Sequence, residues 1–412
     1  MKLTWLLIIF FLVYKSGYSI GVPADLEVIR NYFNKPDSAI MLANKLLQKS
    51  ENSSNYFGLV KANLYLGFLH EQKSPGKAVL YYLEGMRFCE KANLDSVAKD
   101  QIWLRRNLSN IFRRYESNDL ATSYNLEAIK IAESQQDKYQ IFNLKLNQGL
   151  IYQNDKDFEK AVIYLREALN LDLEDSYTYR LINQLGLVYL ESGNLTKAKE
   201  YFKRLIQLPE DQKLYSAKAL HNLGEIFYAE DSTQNAIENL RKAISIKVSF
   251  EKIDYYSLFN SYLILGRYLL NAGTLEEAEH YLKKAESISS YAEFDPKSFE
   301  VYKNLSNLYF NTNKHTIGNY YIEKYFTIVQ NFIETQKEIQ RKDKEYNFEL
   351  ITKRYFDELE KQDRIASILF ISKLSSGSLI ALLIFVITYY QVRKVALRKS
   401  IKKELQALKL ID

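Results

Sequence analysis

The stretch WLRRNLSNIFRRY, residues 103–115, places Arg106, Asn110 and Arg113 at i, i+4 and i+7. On a helix these three side chains project from one face. Two guanidinium forks beside an amide can hold a carboxylate at two points. The first ligand class they suggest is therefore an acidic peptide end. A solvated basic face would have the same spacing.

Little else in the chain offers chemistry. His70, His221, His280 and His315 are each isolated, with no carboxylate or cysteine at metal-ligand spacing. Cys89 has no histidine near it and reads as a packed thiol. There is no HExxH, no nucleophile elbow and no glycine loop that would cradle phosphate. The expectation is a protein that is not an enzyme and uses no cofactor or metal. A chain of 412 residues can bury its core without disulfides, and a lone cysteine forms none internally.

The elements that must position these side chains announce themselves by repetition. Leu223-Gly224, Phe227, Ala236, Leu240 and Ala243 recur as Leu185-Gly186, Tyr189, Ala198, Phe202 and Leu205, and as Leu265-Gly266, Leu269, Ala278, Leu282 and Ala285. Gly149, Ala161, Leu165 and Ala168 fit the same frame, as do Ser109, Ala121 and Ala128. A degenerate copy begins at Leu305-Ser306, and a first copy, one residue shorter in its turn, at Leu66-Gly67. From Ser109 to Tyr325 the inner offsets stay at 12 and 7 while the anchors lie 37 to 42 apart. A constant unit joined by adjustable connectors is implied. Apolar residues every three or four positions make both arms of the unit amphipathic helices. Polar turns such as Ser192-Gly193-Asn194 separate the arms. Each unit is a helical hairpin in which Gly67, Gly149, Gly186, Gly224 and Gly266, with Ala161, Ala198, Ala236 and Ala278, allow close helix approach. One hairpin cannot bury its apolar face, but about seven stacked in a row can, forming an all-α solenoid with a concave surface. His221 falls on the first helix of its unit, facing that concavity, and joins Arg106, Asn110 and Arg113 as a candidate peptide contact.

At these residues the chain resembles the tetratricopeptide repeat (TPR) family, over roughly residues 24–330. The family pattern is Leu-Gly, an aromatic three positions on, Ala twelve after the Gly, then an aromatic or Leu and a second Ala. This chain lacks the family's early Trp, has only Pro209 near a closing-proline position, and its periods exceed the usual 34. The resemblance implies a peptide or protein partner on the concave face. In family members that grip a peptide carboxylate, a basic residue and an Asn stand where Arg106 and Asn110 stand here. Leu146 and Leu150 hold the corresponding places in the next unit, so the clamp is not completed there.

The flanks suggest further parts. Residues 1–19 have a secretory signal pattern, with Lys2 before an apolar run and small residues at Gly17 and Ser19. The solenoid is expected over 20–330 and a helical stalk over 331–366, with a discontinuous seam that would suit a homodimer. A single transmembrane helix is expected over 367–390, about one bilayer wide. A basic tail follows over 391–412. The tail holds most of the chain's net charge of +6, so the repeats are nearly neutral and nucleic acid is not an expected partner. The positive-inside rule then puts the tail in the cytoplasm and the repeats outside, periplasmic in a bacterium. This order of parts resembles the input half of bacterial membrane-spanning TPR sensors, the kind that feed a histidine kinase or a helix-turn-helix module. Two functions follow. One is a membrane-anchored interaction or sensor protein whose tail meets a separate cytoplasmic output protein. The other is a tethered scaffold for an envelope assembly.

Overall fold

The computed structural model describes residues 22–407, apart from 93, 172, 293–295 and 372–379. The signal segment expected over 1–19 lies outside the described residues. The chain divides into two compact units, the break falling between Gln336 and Lys337.

The first unit is a series of hairpins. α1 (Val22–Asn31) and α2 (Pro36–Asn52) lead. They are followed by α3 (Tyr56–His70) with α4 (Pro75–Cys89), α5 (Leu94–Arg114) with α6 (Asn118–Ser134), and α7 (Lys138–Asn154) with α8 (Phe158–Leu169). Next come α9 (Asp175–Glu191) with α10 (Leu195–Lys203), α11 (Lys213–Ala229) with α12 (Thr233–Ser249), and α13 (Tyr255–Asn271) with α14 (Leu275–Ser287). The last hairpin pairs α15 (Glu300–Asn311) with the start of a long helix, α16 (His315–Ile371). The repeating frame accounts for every hairpin from α3 onward. The leading one has no Leu-Gly anchor, and closes instead through Val22, Leu26 and Ile29 packed on Ala39, Ala43 and Leu46.

Close packing inside each hairpin explains the small residues. A Cβ on Gly186 would sit 2.5 Å from the Phe202 ring, and one on Gly149 would sit 2.8 Å from Leu165. At Gly224 it would meet Leu240 at 3.0 Å and the Ala236 carbonyl at 3.1 Å, and at Gly266 it would meet Leu282 at 2.7 Å. Gly67 similarly lies against the Tyr82 ring. The anchor therefore receives the large residue sixteen positions later, or fifteen in the shorter first copy at Gly67. Ala161, Ala198, Ala236 and Ala278 are wholly buried beside these contacts. First helices of successive units also touch one another, with the second helices packed behind them, so the first helices line one face of the unit.

The turns share one device. The Ser117, Asp157, Asn194, Ser232, Thr274 and Lys314 amides each donate back to the carbonyl of the residue five positions earlier, at 2.8–3.0 Å. That bond closes the first helix in a Schellman arrangement. It needs a left-handed residue just before it, supplied by Glu116, Lys156, Gly193, Asp231, Gly273 and Asn313, with φ between +56° and +79°. The Asp157 and Asn194 side chains then cap the following helix, accepting from Lys160 N at 3.2 Å and Lys197 N at 3.1 Å.

The second unit holds the remainder of α16 and α17 (Ile380–Ala407). Here the expected membrane-spanning helix over 367–390 must be corrected. α16 runs to Ile371, α17 begins at Ile380, and 372–379 lie outside the described residues. Among the described residues no helix is long and apolar enough to cross a membrane. α16 is a charged helix along most of its length, laced by pairs such as Arg341–Glu345 at 2.7 Å and Arg364–Glu360 at 2.5 Å. The apolar start of α17 meets Arg393 and Lys394 within about four turns, where a span needs roughly 20 apolar residues. The single-pass location, with repeats outside, tail in the cytoplasm and membrane as a partner, loses its basis with that helix.

Candidate functional site

The carboxylate-gripping trio predicted on α5 is present on one helix, but its cations are engaged. The Arg106 guanidinium lies 3.9 Å from the Trp103 ring centroid and donates from Nη1 to Gln140 Oε1 at 3.3 Å. Arg113 Nε donates to Asn147 Oδ1 at 3.2 Å. Both acceptors belong to α7, so the two arginines join the second repeat to the third. Asn110 sits between them, its main-chain carbonyl accepting from Arg114 Nε at 3.4 Å. Immediately after α5, the buried Tyr115 stacks on Phe332 of α16 with ring centroids 5.0 Å apart. Gln336 Nε2 donates to the Tyr115 carbonyl at 2.6 Å. Phe332 also meets the edge of Phe299 at 5.5 Å, at the start of the last repeat. The long helix thus returns to the second repeat and covers it beside the predicted patch.

His221 is elsewhere. It lies in a pocket of ≈360 Å³ on the inner helices of the fourth to seventh repeats. Asn183 and Leu187 of α9 line it, as do Lys218, His221, Asn222 and Glu225 of α11. α13 adds Asn260, Ile264 and Arg267. None of Arg106, Asn110 and Arg113 takes part in this lining, which holds His221 alone of the four candidate contacts.

The pocket is polar and ordered. Asn222 Nδ2 donates to Asn183 Oδ1 at 3.1 Å, which leaves the Asn222 carbonyl oxygen and the Asn183 amide nitrogen for a ligand. Asn260 is half-buried and bonds to no described residue through its side chain. Lys218 pairs with Asp254 at 3.2 Å, Arg267 with Glu300 at 3.4 Å, and His221 Nε2 with Glu225 at 3.2 Å. Leu187, Leu263 and Ile264 add apolar wall.

Behind these lies Lys247 of α12, 2% exposed. Its Nζ donates to Ser257 O at 2.9 Å and Ser261 Oγ at 2.6 Å. Ser261 Oγ in turn lies 3.0 Å from His221 Nδ1 and donates to Ser257 O at 3.3 Å. Burial, reinforced by the Lys218 charge, lowers the Lys247 ammonium to about 7. The sequence carries a signal for this residue. Lys247 continues the buried stripe Ala236, Leu240, Ala243, and a charge on a core stripe asks for a partner. Of the site's asparagines Asn222 was likewise readable, since it falls two positions before its anchor, as do Asn107, Asn147 and Asn304; Asn183 and Asn260 share no such place.

No group of His, Cys, Asp and Glu able to hold a metal occurs among the described residues. Cys89 is buried, and burial with the nearby Asp100 charge pushes its thiol up to about 12, far from a nucleophile's range.

Residues 140–211, 177–247 and 259–291 match models of the tetratricopeptide repeat. The chain carries tetratricopeptide repeats, and the hairpin solenoid is their architecture. Response regulator aspartate phosphatase E of Bacillus subtilis (strain 168) is 22% identical over 263 residues, covering 60% of this chain and 68% of that protein. Among solved structures, a Rap protein complexed with competence and sporulation factor is similar at 14% identity and TM-score 0.50, covering 77% of this chain and 98% of its own. The Rap conjugation gene regulator of the plasmid pLS20, in complex with the Phr* peptide, is similar at 15% and TM-score 0.50, covering 70% and 79%. At such identities the two structures establish the shared fold.

Proposed function

We propose that this protein binds a peptide, or an extended segment of a partner protein, in the pocket between Asn183 and Arg267. The observation that carries the reading is the set of amides there. Asn183, Asn222 and Asn260 come from the first helices of three successive repeats and present donors and acceptors to one cleft. Main chain needs alternating donors and acceptors, and apolar wall at Leu187 and Ile264 would receive a side chain between them. The Phr* peptide bound to a Rap protein of the same fold supports the choice of ligand class. The phosphatase in the Bacillus relative's name belongs to that protein, and for this chain we infer binding rather than catalysis.

A sensory role would follow from the contact between Tyr115 and Phe332. A ligand that changes the curvature of the repeats would strain a contact tying the second repeat to the helix beyond the seventh. Occupancy of the pocket would then be read out by release of that helix.

The test is equilibrium binding of a fluorescent decapeptide library to the full chain and to Asn260→Trp and Ile264→Arg, two variants that fill the cleft. Retention by the wild type and its loss in both variants is expected. Equal retention by the filled variants, or none by the wild type, would overturn the proposal.

A further inference from the structure

We infer that the pocket selects a carboxylate, taken up by Lys247 from behind the cleft, so that the preferred ligand is a peptide presenting a free C-terminus or an acidic side chain. The inference rests on the peptide reading above and specifies its chemistry.

Its basis is a charge imbalance. The other two permanent cations of the lining are matched at close range, Lys218 by Asp254 and Arg267 by Glu300. Glu225 faces His221. Lys247 alone in this lining is bonded only to neutral oxygens, the Ser257 carbonyl and the Ser261 hydroxyl, and no carboxylate stands within ion-pair distance of it among the described residues. An ammonium has three donors, and these two bonds leave one over. A buried cation without a counter-ion is costly, and the structure tolerates it here beside an open cleft. An incoming carboxylate supplies the missing charge.

The groups facing Lys247 fix the sense of the pH dependence. Lys218 opposes its charge, Asp254 and Glu225 favour it, and burial dominates, giving the value near 7. A bound carboxylate favours the ammonium and raises that value. Binding therefore takes up a proton above pH 7, and affinity is greatest at and below pH 7 and falls as the pH climbs past it. This clamp differs from the α5 trio, because its cation comes from the second helix of a repeat and reaches the cleft through the Ser257–Ser261 turn of α13.

The experiment compares paired decapeptide libraries on the full chain: C-terminal acid against carboxamide, and Glu against Gln at each position. Acid forms should be retained about tenfold better than carboxamides, and Lys247→Met and Lys247→Gln should bring that ratio to one. A preference that survives both variants, or no preference at all, overturns the carboxylate assignment and leaves peptide binding standing. Retention of no peptide overturns both. A second readout needs no variant: calorimetry of an acid peptide at pH 8 in buffers of different ionisation enthalpy should show proton uptake. Its absence would also sink the assignment.

Discussion

Phe332 lies 5.0 Å from Tyr115, ring over ring, although one belongs to the helix that leaves the last repeat and the other to the second repeat. The neighbouring Gln336 side chain bonds the Tyr115 carbonyl across 221 positions of sequence. The two contacts join the early repeats to the late ones, a closure that no stack of nearest-neighbour hairpins requires.

Removing that closure should be measurable. Phe332→Ala should destabilise the repeat unit by about 1–2 kcal/mol, since the ring is half-buried and stacked on one side. Hydrogen exchange should quicken along 325–336 and at the end of α5. A urea midpoint and an exchange map identical to wild type would mean the contact holds nothing together.

The glycines divide into two kinds. Gly186→Ala places a methyl 2.5 Å from the Phe202 ring and should cost roughly 1–3 kcal/mol by overpacking. Gly193→Ala meets nothing within 4 Å, and its cost, about 1 kcal/mol, comes only from φ +79°. Thermal melts of the pair separate the mechanisms: enlarging the side chain further to Val should worsen position 186 much more than position 193.

Lys156 occupies the same left-handed turn position as Gly193, with φ +60°. Lys156→Gly should therefore stabilise the protein by up to about 1 kcal/mol, as the backbone strain is relieved. A lower melting temperature for this variant would show that the lysine side chain contributes more than its backbone costs.

Lys247 supplies a pH signature. It titrates near 7 when folded and near 10.5 when exposed. Between those values the unfolded chain binds more protons, so this residue's contribution to stability rises with pH. Its penalty is full below pH 7 and is relieved as the pH climbs toward 10.5. Lys247→Met should accordingly be more stable than wild type at pH 6, by on the order of 2–4 kcal/mol, with the gap closing by pH 10. Urea unfolding of both proteins at pH 6, 8 and 10 checks it. A gap that does not change with pH would show that burial of the charge is not the cause.

Most of the repeat unit was legible because its signals are local and periodic. Gly224, Ala236, Leu240 and Ala243 mark one hairpin by steric need alone, and the same need recurs at each anchor. The leading hairpin was invisible to that frame because Ala39 and Ala43 pack it without a glycine. The site was only half legible. His221 lies in the lining of the cleft, whereas Arg106 and Arg113 bond Gln140 and Asn147 of the next repeat. The 367–390 stretch reads as a membrane-crossing helix from hydropathy, whereas among the described residues no helix is long and apolar enough to cross a membrane.

What the amino-acid order determined by itself is the hairpin. A small residue must face a large one sixteen positions on, a polar turn must lie between, and i, i+4 periodicity follows from 3.6 residues per turn. What only the tertiary structure decided is which hairpins meet beyond their neighbours and which polar groups share a space. The return of Phe332 to Tyr115, and the convergence of Asn183, Asn222, Lys247 and Asn260 on one cleft, depend on the accumulated rotation from repeat to repeat. That rotation is a sum of small packing angles, and no spacing along the chain records it.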